Sequence, residues 1–170
     1  LEGMQPAVAG KAEILYAKGS NLMYDAKREA DATMFGREMR DSRSDKEMLD
    51  EALAIAKEAD VIVAALGESS EMSGESSSRT DLEMPDAQRD LLKALLATGK
   101  PVVLVLFTGR PVVLTWEDAN VPAILNVWFG GSETADAVPD VLFGDYSPSG
   151  KLTTSFPLTV GQLPMSYNEY

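Results

Sequence analysis

From residue 44 onward the chain alternates between stretches with apolar residues at helical spacing and short unbroken apolar runs. Met48, Leu49, Ala52, Leu53, Ala56 and Ala59 recur three and four apart, which predicts a helix over 44–60 with one buried face. Ser44 is placed to cap its first turn, and Glu47, three residues later, completes a capping box. VIVAAL at 61–66 then reads as a strand buried on both faces and ended by Gly67. Pro85 opens a second helix, at a position where the N–H has no helical partner in any case. Leu91, Leu92, Leu95 and Leu96 form its buried face, and Gly99 stops it. VVLVLF at 102–107 and AILNVW at 123–128 are two further core strands. Between them, Gly109, Arg110 and Pro111 make a turn, 112–114 adds a short extension, and 116–120 forms a brief helical turn. A last helix is predicted over 133–143. Pro139 lies inside it, and an interior proline costs about 3 kcal/mol, so a bend or break is expected there.

The ends are less regular. LEGMQPAVAG reads as the end of a helix with Gly10 as its stop, and it lacks the basic and apolar regions of a signal peptide. The expectation is a chain cut from something longer. EILYA at 13–17 looks like a short strand. Residues 18–43 form a long charged connection with room for one short helix, either solvated surface or a functional segment. DYSPSG at 145–150 is a tight turn, 151–156 an edge strand, and 157–170 an irregular tail. Strands alternating with helices predict an α/β sandwich with a largely parallel sheet, in a single domain over 1–170.

Composition narrows the chemistry. The 170 residues hold 15 Lys and Arg against 27 Asp and Glu, a formal net charge of −12. That balance argues against nucleic acid as a partner, which needs a basic stripe. No apolar run is long enough to cross a membrane. Cysteine and histidine are both absent. A Ser-His-Asp triad, a Cys-His pair and a His-bound zinc are therefore all excluded. Carboxylates, hydroxyls, Lys, Arg, Tyr and the backbone remain.

The segment GESSEMSGESSSRTDLEM at 67–84 is the most unusual. It follows a core strand, where functional loops of open α/β sheets lie, and it is far longer than such loops usually are. Its carboxylates are Glu68, Glu71, Glu75, Asp81 and Glu83. One reading is a solvated acidic lid; the other is that one of them is a general acid/base. Arg79 either orients a carboxylate or pairs with Asp81. The loop has no phosphate-binding glycine motif, and the Gly130–Gly131 pair serves either an anion or close backbone packing. Trp128 and Phe129 end a core strand and either stack on a sugar ring or fill a core.

Four segments in order, GESSEMSGESSSRTDLEMPDAQRDLLKAL, KPVVLVLFTGRPVVL, ILNVWFGGSETADAVPDVLFGDYSPSGKL and SFPLTVGQLPMSYNEY, closely resemble the C-terminal α/β-sandwich domain of glycoside hydrolase family 3. The similarity is greatest to periplasmic-type bacterial β-glucosidases. It runs over 1–170 and is strong from Ser44. The resemblance implies a three-layer α/β sandwich whose first strand lies ahead of the LEGM helix and is missing here. It implies a partner, an N-terminal (β/α)8 barrel of the same parent chain, which bears the nucleophilic Asp of a retaining hydrolase. The substrate would be a β-glucoside or oligosaccharide, with no cofactor and no metal. The Glu of the family's E-x-S-S-R motif falls on Glu75, the implied acid/base, with Glu71 as the second candidate. Arg79 and Asp81 fall on its S-R-x-D segment and would shape the loop, and Trp128 is a candidate substrate contact. Pro139 stands where a small helix former is expected. Location would be periplasmic or secreted, and the chain alone would be inactive. Two other readings stay open: a non-catalytic carbohydrate-binding or scaffolding module, and a flavodoxin-like nucleotide or phosphate binder.

Overall fold

The computed structural model describes residues 1–33 and 40–166. Its centre is a three-stranded parallel sheet in the order β1 (Ile62–Gly67), β2 (Val102–Phe107), β3 (Ala123–Asn126). Ala64 aligns with Leu104 and Ile124, and Gly67 with Phe107. Helix α4 (Asp86–Leu96) connects β1 to β2, and the shorter α5 (Thr115–Asn120) connects β2 to β3. Parallel crossovers are right-handed, so two successive steps in one direction place both helices on the same face.

That face holds the core. Ala64 and Leu66 of β1 and Val102, Leu104 and Leu106 of β2 pack with Leu91, Leu92 and Leu95 of α4. Ala52 and Ala56 of α3 (Asp45–Glu58) close the layer. The expected capping box of α3 is present: the Glu47 N–H donates to Ser44 Oγ at 3.2 Å, and the Ser44 N–H to Glu47 Oε2 at 2.8 Å. Pro85 precedes α4 as its N-cap. α1 (Met4–Ala7) packs on α6 (Thr134–Phe143). Helices, sheet and helices make an open three-layer α/β sandwich.

Several expectations need correction. β1 is not buried on both faces: Ala64 and Leu66 are buried, Val63 is half-buried and Ala65 is exposed. A continuous apolar run does not say how well the second layer covers it. Residues 13–17 and 151–156 form no strand, because neither finds a ladder partner. The 112–114 extension is not a strand either, although the Val113 N–H donates to Leu82 O at 2.9 Å. β3 stops at Asn126, two residues short of the predicted end. Helix α6 runs unbroken through Pro139, whose ring is buried. The short helix expected within 18–43 is α2 (Ala26–Asp31), and residues 34–39 of that connection lie outside the described residues, as do 167–170 of the tail.

Candidate active site

The loops that follow the three strands, 68–85, 108–114 and 127–133, meet at the carboxyl edge of the sheet. The longest is fixed first at its root. The Gln88 side chain brackets Gly67: its Oε1 accepts from the Gly67 N–H at 2.7 Å, and its Nε2 donates to Gly67 O at 2.9 Å. Gly67 takes a φ of 147° with its α-carbon pressed on Phe107, so a Cβ would lie 1.8 Å from the Phe107 carbonyl oxygen. Only glycine fits that position.

The chain then turns Glu68 inward, where its side chain is wholly shielded from solvent. The Gly109 N–H donates to its Oε2 at 3.1 Å, and Arg79 forms an ion pair with its Oε1. Arg79 also donates through Nη2 to Glu83 O at 2.9 Å. One buried carboxylate thus ties the start of the loop to its end and to the loop after β2. A shielded charge of this kind is tolerated only when paired and hydrogen-bonded, as it is here. Ser69 Oγ donates to Ala32 O, and Met72 is buried within the short 3-10 turn Ser70–Met72.

Beyond this stem the loop makes one tight turn. The Ser77 N–H donates to Gly74 O at 3.2 Å, and Ser76 sits at φ 61°. A positive φ at the third position alone is the mark of a type II turn. Glu75 occupies the second position and is exposed. Its side chain makes no hydrogen bond or ion pair among the described residues.

The structure separates the sequence candidates. Arg79 is joined to Glu68 rather than Asp81; the Asp81 carboxylate instead accepts from the Glu83 N–H at 2.9 Å in a local turn. Glu71 is exposed in the 3-10 turn, and Glu83 pairs with Arg89. Trp128 takes a φ of 54°, uncommon for a bulky side chain, and its ring lies 5.8 Å from that of Phe156. Phe129 is 43% exposed and lies with Ser73 close over Gly109. Sequence reasoning missed Glu68 as a buried tie and Arg110 as a contact of the long loop. The position of Glu68 directly after a buried strand was the available signal for the first; Arg110, seen only as part of a turn, gave none.

An exposed carboxyl on a braced turn can exchange a proton with a group that arrives from outside. The family model described as the glycosyl hydrolase family 3 C-terminal domain matches residues 1–170. A periplasmic β-glucosidase of Salmonella typhimurium is 52% identical over 99% of this chain, which spans 22% of its length. A β-xylosidase of Formosa agariphila is 40% identical over 99% of the chain and 21% of its own length. Among solved structures, a β-glucosidase from Erythrobacter marinus superposes with a TM-score of 0.79 at 32% identity, covering 98% of this chain and 23% of that one.

Proposed function

The chain belongs to the C-terminal domain family of the family 3 glycosyl hydrolases, and on that premise we propose that it supplies the acid/base carboxyl of a retaining β-glucosidase. The carboxyl is that of Glu75. The observation that carries the reading is its place: exposed, at the second position of a turn, on a loop whose stem is fixed by a buried ion pair.

Retention needs a second carboxylate about 5–5.5 Å away across the sugar. That group belongs to an Asp on an N-terminal barrel of the parent protein, the domain that the rest of such a relative's length accommodates. In the first step the Asp carboxylate attacks the anomeric carbon. The bond to the leaving oxygen breaks as Glu75 gives that oxygen its proton. In the second step the ionised Glu75 takes a proton from water, which attacks the same carbon and releases the Asp. Arg79 and Asp81 shape the loop, and Trp128 with Phe129 offers an aromatic wall for the sugar. The substrate class is a terminal β-glucoside, and the location of the parent is periplasmic or secreted. The xylosidase relative supports a division of labour in which this domain provides the proton and the barrel selects the sugar.

The test uses the full-length enzyme. Glu75→Ala should lower kcat/KM on substrates with poor leaving groups by about 10²–10⁴-fold, the usual worth of a general acid. Dinitrophenyl glucosides, which leave without a proton, should be largely spared in the first step, and added azide should restore turnover by replacing water. The 170-residue chain alone should hydrolyse no aryl glucoside. Loss of binding with normal turnover would instead support a non-catalytic carbohydrate module.

A further inference from the structure

The turn that presents Glu75 is weakly held by its own backbone. One hydrogen bond closes it, Ser77 N–H to Gly74 O, at 3.2 Å. The ion pair of Glu68 and Arg79 lies below it, at the loop stem. What grips the neck of the turn comes from another loop. Arg110, in the segment after β2, donates through Nη2 to Met72 O at 2.8 Å and to Ser77 O at 2.7 Å. Its Nε reaches Ser73 Oγ at 3.4 Å. Met72 and Ser77 flank the turn, so a single guanidinium nitrogen bridges the two strands of its neck.

We propose that Arg110 is a positioning residue for Glu75, a clamp that fixes where the acid/base carboxyl stands relative to the opposing domain. Hydrogen bonds from a charged donor are about twice as strong as neutral ones, and a planar guanidinium loses little freedom in making them. Without the clamp, residues 73–77 keep two long backbone bonds, Ser73 N–H to Ser70 O at 3.5 Å and Ser77 N–H to Gly74 O at 3.2 Å, and the Ser77 hydroxyl on Glu75 O at 3.4 Å, with a glycine at 74. The carboxyl then samples a volume instead of a point. Misplacement by about 1 Å can cost a hundredfold in rate. The inference rests on the assignment of Glu75, and its test keeps the two apart.

In the full-length enzyme, Arg110→Met and Arg110→Lys are compared with Glu75→Ala and with the Arg110→Met/Glu75→Ala double variant. Arg110→Met should lower kcat/KM roughly ten- to a hundredfold on substrates with poor leaving groups, and by far less on dinitrophenyl substrates. Arg110→Lys should recover part of the loss, since an ammonium still donates to carbonyls. The double variant should be no slower than Glu75→Ala alone, because a clamp has nothing to position once the carboxyl is gone. Amide exchange in residues 73–80 should rise in Arg110→Met. Equal loss on all leaving groups, full additivity in the double variant, or unchanged exchange would each overturn the clamp. If Arg110→Met does not fold, the same readouts on Arg110→Lys decide. Should Glu75→Ala itself show no leaving-group dependence, the acid/base assignment fails. The exchange readout then still decides whether Arg110 holds the turn.

Discussion

Glu68 and Glu75 sit seven residues apart in one Ser- and Gly-rich loop, yet their surroundings are opposite. Glu68 is sealed against Arg79 and the Gly109 N–H; Glu75 is exposed, and its side chain has no hydrogen-bond or ion-pair partner among the described residues. The first is an anchor and the second is available for chemistry. Removing one partner of a buried pair leaves an uncompensated charge and typically costs about 3–5 kcal/mol. Arg79→Met should therefore lower stability by about 3 kcal/mol, the low end because Gly109 still donates to the carboxylate. Denaturant unfolding checks this, and a loss below about 0.5 kcal/mol would mean the pair holds nothing. Neither role was legible from composition: both residues are Glu among Ser, and only the chain's path decides which one faces in. The E-x-S-S-R match singled out Glu75, and the one signal for Glu68 was its position directly after a buried strand.

A second buried carboxyl carries a pH signature. Glu117 is 2% exposed, with Oε1 lacking a partner. Burial pushes its pKa up, against the opposing pull of its own backbone hydrogen bond, Arg89 and Lys93. A carboxyl with a folded-state pKa above the unfolded one binds its proton more tightly in the folded chain. Its contribution to stability is full below the unfolded pKa and is lost as pH rises through the folded pKa. Glu117→Gln does not titrate. The melting-temperature gap, variant minus parent, should thus move in the variant's favour as pH rises from about 4, the ordinary glutamate range. A gap that stays constant, or moves the other way, refutes the assignment.

At the scale of elements, legibility followed how much each segment decides for itself. β2 was readable to the residue, because VVLVLF is apolar at every position and lies between β1 and β3, with Val102, Leu104, Val105 and Leu106 buried. Helix α3 was readable through its cap and its spacing, both local. The segments 13–17 and 151–156 were misread for the complementary reason. A strand exists only with a neighbour to pair with, and an apolar run carries no record of one. Gly67 joins element to site: it ends β1, touches the Phe107 backbone and starts the loop that bears Glu75. Gly67→Ala should push β1 and β2 apart at the sheet edge. We expect a loss of stability together with faster amide exchange at Glu68 and Gly109. Ala65→Val on the same strand, where the surface is open, should leave both unchanged. Equal tolerance at the two positions would contradict the close approach.

At the scale of the whole molecule the surface is larger than that of a compact monomer of the same mass. The chain exposes 10795 Å² at 18.3 kDa, while a compact monomer of that mass exposes about 8,100 Å² by the usual scaling. Part of the exposed surface is apolar tail: Leu152 is 64% exposed, Leu158 61% and Leu163 44%. The tail touches the sandwich through Phe156 on Trp128, the buried Pro157, and the Thr115 hydroxyl on Leu158 O at 2.7 Å. In the proposed parent the rest of the enzyme covers this tail and would also bring the nucleophile towards Glu75. Leu152→Ser with Leu158→Ser should change the melting temperature of the 170-residue chain only slightly, since both side chains are mostly exposed there. In the full-length enzyme the same pair should destabilise by about 1.5–3 kcal/mol per leucine if both become fully covered there. Equal effects in the two contexts would mean that the tail meets no second domain, and that the cleft around Glu75 is closed by other means.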